Sequence, residues 1–74
     1  MRMWQCRDSS QVAEYGYDPD RRLLVIEFKS GGVYEYRGVP FDVFEGFIDA
    51  PSKGKFINQH IKGNYECEKQ EQGE

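Results

Sequence analysis

Leu23-Leu24-Val25-Ile26-Glu27-Phe28-Lys29-Ser30-Gly31-Gly32-Val33-Tyr34-Glu35-Tyr36-Arg37 is the stretch that decides how this chain folds. Residues 23–29 alternate as a strand does. Leu24, Ile26 and Phe28 share one face, and Leu23, Val25 and Glu27 share the other, because successive side chains of a strand point to opposite sides. Ser30-Gly31-Gly32 reads as a hairpin turn, since glycine accepts the positive φ that tight turns demand. Residues 33–37 return as a second strand, with Tyr34 and Tyr36 on one face and Val33, Glu35 and Arg37 on the other. The length of the turn decides which faces match, because a one-residue slip moves every side chain to the opposite side. A two-residue loop sets Glu35 on the apolar face with Phe28, and an unpaired buried carboxylate is costly. A three-residue loop sets Tyr34 and Tyr36 beside Leu24, Ile26 and Phe28. The odd loop is therefore expected, with the tyrosine pair on the apolar face.

Outward from this hairpin, residues 12–18 read as another strand, with Ala13, Tyr15 and Tyr17 on one side and Val12 out of phase, as at a bulge. Asp18-Pro19-Asp20 is a turn in which proline presets φ and the aspartates cap backbone amides. After Arg37 the period changes. Pro40 suits the first position of a helix, and Phe41, Phe44, Phe47 and Ile48 recur at helical spacing, with Asp42 and Glu45 favouring its positive end. Pro51 ends that helix. Ser52 is a good N-cap for a second, whose apolar stripe is Phe56, Ile57, His60 and Ile61, and Gly63 fits the position after its end. Trp4 and Cys6, and again Tyr65 and Cys67, alternate with polar residues and suggest end strands. The expected architecture is α+β: a small antiparallel meander of three or more strands, followed by two short helices packed on one face. Residues 1–69 form one domain in this reading, and 70–74 a disordered acidic tail.

With 74 residues the chain holds one core. A domain of that size buries only about 60% of its unfolded surface, so its 15% aromatic content matters for packing. The formal net charge of −3 arises from the tail, where Glu66, Glu68, Glu71 and Glu74 outweigh Lys69. The body is balanced but patterned. Asp42, Glu45 and Asp49 come with no base, whereas residues 51–65 carry Lys53, Lys55 and Lys62 with His60 and no acid. No apolar run is long enough to span a bilayer and no signal-peptide core is visible, which points to a cytoplasmic location with reduced Cys6 and Cys67. No paired Cys/His spacing suggests zinc, and Asp18, Asp20, Asp42 and Asp49 have no metal-loop spacing, so neither metal nor cofactor is expected.

The chemistry-bearing residues are few. His60 has no serine or cysteine at a catalytic spacing, and a general acid–base role needs such a geometric partner. Ser52-Lys53-Gly54-Lys55 opens a helix, where free amides and lysines can hold a phosphate. It lacks the upstream glycine and the Gly-Lys-Ser/Thr order of a nucleotide-binding loop, and its plainer reading is an N-cap with solvated lysines.

These pieces together resemble the KTSC domain, a short domain found at the C-terminus of some lysyl-tRNA synthetases and as a stand-alone bacterial protein. The resemblance runs from about Met3 to Tyr65. It rests on Ser9-Ser10 followed by Gly16-Tyr17-Asp18; on Phe28 and Gly31-Gly32-Val33-Tyr34-Glu35-Tyr36, with its Tyr-x-Tyr signature; on Val39-Pro40 and Ala50-Pro51-Ser52-Lys53-Gly54; and on Phe56-Ile57-Asn58 with His60-Ile61. Tyr15 stands where an aliphatic residue is more usual, and Ile57 where an aromatic is expected. The resemblance brings no established activity with it. Its synthetase context suggests RNA as a partner, with Tyr34, Tyr36, Lys53, Lys55 and His60 as the residues carried over and Lys62 added by the basic segment.

Three functions compete on this reading. The first is a non-enzymatic binding module for structured RNA, using Lys53, Lys55, Lys62, His60, Tyr34 and Tyr36. The second is a protein-interaction adaptor or small homo-oligomer, using the second sheet face at Leu23, Val25 and Val33. The third, and least favoured, is a small enzyme around His60 and the Ser52 turn. If the tyrosines act on a partner, their place beside the helices assigns that action to their hydroxyls at a groove near the Ser52-Lys53 turn, not to an open stacking platform.

Overall fold

A computed structural model describes residues 3–6 and 10–70. In chain order the elements are β1 (Met3–Gln5), β2 (Val12–Asp18), β3 (Leu23–Phe28), β4 (Val33–Arg37), α1 (Phe41–Asp49), α2 (Lys53–Phe56), a π-helical segment (Ile57–Ile61) and β5 (Glu66–Gln70). The five strands form one antiparallel sheet in the order β1-β2-β3-β4-β5. This is the expected α+β meander with both end strands present, but the last strand follows the helices and returns to pair with β4. Gln70, assigned to the tail by sequence, closes β5; the expectation for 71–74 lies outside the described residues.

The hairpin that decides the fold has the odd loop. The Phe28 N–H donates to the Gly32 carbonyl at 2.8 Å and the Gly31 N–H to the Phe28 carbonyl at 2.9 Å. These bonds enclose Lys29-Ser30-Gly31, one residue earlier than the sequence placed the turn. Gly31 takes φ +110°, which an L side chain resists. Since both placements enclose three residues, the facing is the same. Leu24 pairs with Tyr36 and Ile26 with Tyr34, so the tyrosines share the face of Leu24 and Ile26. That face is the core: Leu24 and Ile26 are fully buried, with Phe44, Phe47, Ile57 and Ile61 of the helical layer packed in the same cluster.

In β2, the pairing shifts between Val12 with Phe28 and Glu14 with Glu27, which is the bulge that the out-of-phase Val12 implied. The inserted residue returns Val12 to the core side, where it is fully buried. Tyr15 and Tyr17 follow on the same face, opposite Ile26 and Leu24. Tyr17 stacks on Phe44 with ring centroids 4.4 Å apart and planes at 8°, and its hydroxyl donates to the Val39 carbonyl at 2.6 Å. Asp18 caps the following turn, its Oδ1 accepting from the Asp20 N–H at 3.0 Å and the Arg21 N–H at 3.4 Å.

Pro40 sits one position earlier than expected, as the N-cap of α1, its carbonyl accepting from Val43 and Phe44 at 3.1 Å. Its missing N–H costs nothing there, since the first amides of a helix lack partners in any case. No basic residue occupies the last turn of α1; Lys53 Nζ instead reaches back to donate to the Ile48 carbonyl at 3.2 Å. Ser52 caps α2 as expected, its Oγ accepting from the Lys55 N–H at 3.4 Å. The second helix departs from the expected single stripe. After Phe56 it widens to a π turn, closed by the Lys62 N–H on the Ile57 carbonyl at 2.6 Å, and Gly63 ends it at φ +86°. Bonds that close five residues apart rather than four shift the α-helical face. Ile57 and Ile61 hold the core, while His60 turns outward, its ring 4.7 Å from the Phe56 ring.

Candidate functional site: a tyrosine-lined groove

Where β4 and β5 pass the π-helical segment, the helical layer leaves a groove of about 450 Å³. It is lined by Gln11, Phe28, Tyr34, Tyr36, Ile57, Asn58, Lys62 and Cys67. Each element contributes through its periodicity. The odd hairpin loop turns Tyr34 and Tyr36 inward, and pairing of Tyr36 with Cys67 brings the β5 thiol to the same face. Asn58 lies on the π-helical segment and Lys62 caps its end in extended conformation, and both meet the groove. Gln11 enters from the chain before β2, its carbonyl accepting from the Lys29 N–H at 2.8 Å.

The two tyrosines differ in kind. Tyr36 is 3% exposed and belongs to the core. Burial is the main cause that holds its phenol protonated well above the ordinary tyrosine range; the nearby Cys67, which hydrogen-bonds to it, and Tyr34 push the same way. Tyr34 is half-buried, edge-on to Phe28 with centroids 5.5 Å apart and planes at 78°. Lys69 Nζ lies 6.0 Å from its ring centroid, at the limit of a cation–π contact. The lack of a side chain at Gly32 makes room for this ring, since a Cβ there would stand 2.9 Å from Tyr34 Cε1. Gly54 does the same for Gln11, whose Oε1 occupies the space a Cβ would take. A second cavity of about 270 Å³ shares Gln11 and Phe28 and continues past Ser10, Lys29 and Ser30. The lining is thus aromatic and aliphatic with two amides, phenol hydroxyls, a thiol and Lys62, and Lys29 lines the adjoining cavity. Such a mixture binds planar polar groups with their faces on rings and their edges on amides.

Of the residues singled out by sequence, the structure brings Tyr34, Tyr36 and Lys62 together here and leaves three outside. Lys53 caps α1, Lys55 is exposed on α2, and His60 is exposed against Phe56. The expected basic strip is therefore divided. Gln11, Phe28, Asn58 and Cys67 were not singled out as site residues. Cys67 had a signal in its alternation on the last strand; Gln11 had none.

The second sheet face, expected as a partly apolar partner surface, is mixed. Val25 is buried at 8% exposure, and Leu23 and Val33 are half-buried. Their strand neighbours are carboxylates, with Glu14 opposite Glu27 and Glu35 opposite Glu68, the latter paired to Arg37. Cys6 and Cys67 are both free thiols, near β1 and on β5, the two edges of the sheet. Four inter-strand steps separate those edges by roughly 19 Å, whereas a disulfide needs Cα atoms within about 7 Å. Among the described residues no group of three or more His, Cys, Asp or Glu side chains could hold a metal ion, and no helix is long and apolar enough to cross a membrane.

The KTSC domain matches residues 8–65 of the chain. A lysine–tRNA ligase of a Nostoc species is 41% identical over 61 residues, 82% of this chain and 11% of the ligase. The lysine–tRNA ligase of Nostoc punctiforme is 43% identical over the same length, so this chain spans about a ninth of the ligases it matches. A protein of Stutzerimonas stutzeri is 41% identical over 54 residues, covering 73% of this chain and 76% of that one. The crystal structure of a KTSC domain protein from Yersinia pestis superposes with a TM-score of 0.86 at 42% identity, covering 95% of this chain and all of that one.

Proposed function

The chain belongs to the KTSC domain family, and from that premise we propose that it is a non-enzymatic binding module that takes a single-stranded RNA segment into the tyrosine groove. One observation carries the reading: the groove gathers the rings of Phe28 and Tyr34, two side-chain amides, Gln11 and Asn58, and Lys62, with Lys29 lining the adjoining cavity. Unstacked bases bind on aromatic faces and are read along their edges by amides, while lysines meet the phosphates. Relatives that carry the domain within proteins named lysine–tRNA ligase support an RNA partner.

A binding rather than catalytic role is supported by the side chains themselves. Cys67 meets the Tyr36 phenol, whose proton burial retains, and His60 stands outside the groove. Nucleophilic catalysis needs a base within hydrogen-bond reach of the nucleophile. The reading carries with it a single domain over residues 1–69 working in the cytoplasm.

The test is fluorescence anisotropy with a labelled single-stranded RNA and with a transfer RNA, at low and moderate salt. Binding is expected to be weak and to fall with salt at a log–log slope of about −0.7 per phosphate neutralised. Tyr34→Ala and Lys62→Ala should each weaken it, and Lys55→Ala should not. Absence of binding at low salt, or binding indifferent to Tyr34→Ala, overturns the proposal.

A further inference from the structure

On the side of the helical layer away from the groove, large apolar side chains stand in solvent. Phe41 is 55% exposed, Trp4 41% and Ile48 38%. They are contiguous through buried neighbours. Trp4 lies 5.8 Å from the Tyr15 ring and 6.4 Å from the Phe44 ring, and Phe41 lies 6.2 Å from Phe44. Trp4, Tyr15, Phe44 and Ile48 enclose a notch of about 250 Å³. Phe41, Phe44 and Ile48 recur on α1 at i, i+3 and i+7, so they form a ridge along one side of the helix. β1 is the edge strand, so among the described residues no strand lies beyond Trp4.

Carboxylates border this ridge along α1, and the Lys53 ammonium meets its end at the Ile48 carbonyl. At 3.6 residues per turn, Glu45, Asp49 and Asp42 fall on the arc beside Phe41 and Ile48. All three carboxylates are exposed, and none forms an ion pair with a described residue. Asp42 favours the start of α1, but Asp49 at its other end meets a negative helix terminus and gains nothing there. Packing on Tyr15 and Phe44 covers part of Trp4 and leaves the rest exposed, and the helix dipole gives Asp49 no support. A second copy is a poor occupant, because a two-fold contact through α1 sets this carboxylate row against itself, and like charges across an interface cost several kcal/mol.

We propose that the α1–β1 face docks a basic peptide segment of a protein partner. An aliphatic side chain of the segment fills the notch between Trp4 and Ile48, and its lysines or arginines lie along Glu45, Asp49 and Asp42. The site is separate from the tyrosine groove and does not depend on what the groove binds.

Trp4 is the one tryptophan of the chain, so its emission reports on this face alone. The experiment titrates the full chain with a synthetic peptide of leucines and lysines, and with a peptide of equal length in which glutamates replace the lysines. The lysine peptide should shift Trp4 emission to the blue and the glutamate peptide should leave it unchanged. Ile48→Lys, a change at an exposed position whose folding circular dichroism can verify, should weaken binding at least tenfold. Glu45→Gln with Asp49→Asn should weaken it several-fold. Glu14→Gln with Glu27→Gln, the same charge change on the opposite sheet face, should leave it unaltered, as should Tyr34→Ala. The proposal is overturned by any of these results: an unmoved Trp4 signal at millimolar peptide, equal loss from both double neutralisations, binding indifferent to Ile48→Lys, a Trp4 shift that follows protein concentration without peptide, or one produced by RNA.

Discussion

Replacing each member of the tyrosine pair with alanine should separate a residue that holds the fold from one that serves the groove. Tyr36 is 3% exposed, pairs with Leu24 on one side and Cys67 on the other, and lies in the central cluster. Truncating a large buried aromatic removes its transfer free energy and leaves a cavity, together about 3–5 kcal/mol. A 74-residue domain at about 0.05–0.15 kcal/mol per residue has roughly 4–11 kcal/mol in all. Tyr36→Ala therefore removes a large fraction of the stability and should lower the urea midpoint by the same fraction. Tyr34 is half-buried and touches chiefly Phe28 and Lys69. Its truncation forfeits part of a ring's burial and one aromatic contact, about 1–2 kcal/mol. Urea denaturation followed by circular dichroism, with the slope checked for constancy, measures both. Equal losses for the two variants, or a Tyr36→Ala protein as stable as its parent, would refute the assignment of one ring to the core and the other to the groove wall.

Tyr17→Phe keeps the ring stacked on Phe44 but leaves the Val39 carbonyl without its 2.6 Å donor; the expected loss is about 1–3 kcal/mol in the same urea assay. Burial raises the pKa of Tyr15, Tyr17 and Tyr36 above the ordinary value of 10.0. Since the folded state disfavours ionising them, their contribution is fully present below about pH 10 and is lost as pH rises through their folded values. Urea midpoints should therefore show no loss from these groups up to about pH 10 and fall above it, less steeply in Tyr36→Phe; an alkaline limb of the same slope in that variant would contradict the account.

The hairpin was legible in the sequence because two costs agreed. An even loop would have buried Glu35, and the odd loop put aromatic on aliphatic. The structure places Glu35 beside Glu68 on the far face and Tyr34 and Tyr36 over Ile26 and Leu24. The bulge at Val12 was legible for the same reason, since one apolar residue out of phase has few ways back to a core. The site was legible only in part. The basic segment looked continuous because spacing along the chain says nothing of carbonyls left over at the end of a preceding helix, and Lys53 is engaged by one. His60 fitted an α-helical stripe, but the widening after Phe56 is not encoded in a periodicity that five residues can display. Gln11 joins the groove through a contact with Gly54, far away in sequence, and no local pattern could announce it.

β5 returns to β4 only after residues 38–65 have crossed the sheet. Cys67 and Lys69 therefore reach the tyrosines from the far end of the chain, while the hairpin they complete forms from neighbours. The groove is therefore whole only while β5 stays paired, so the local stability of that edge strand sets how much of the time both tyrosines have their second neighbour.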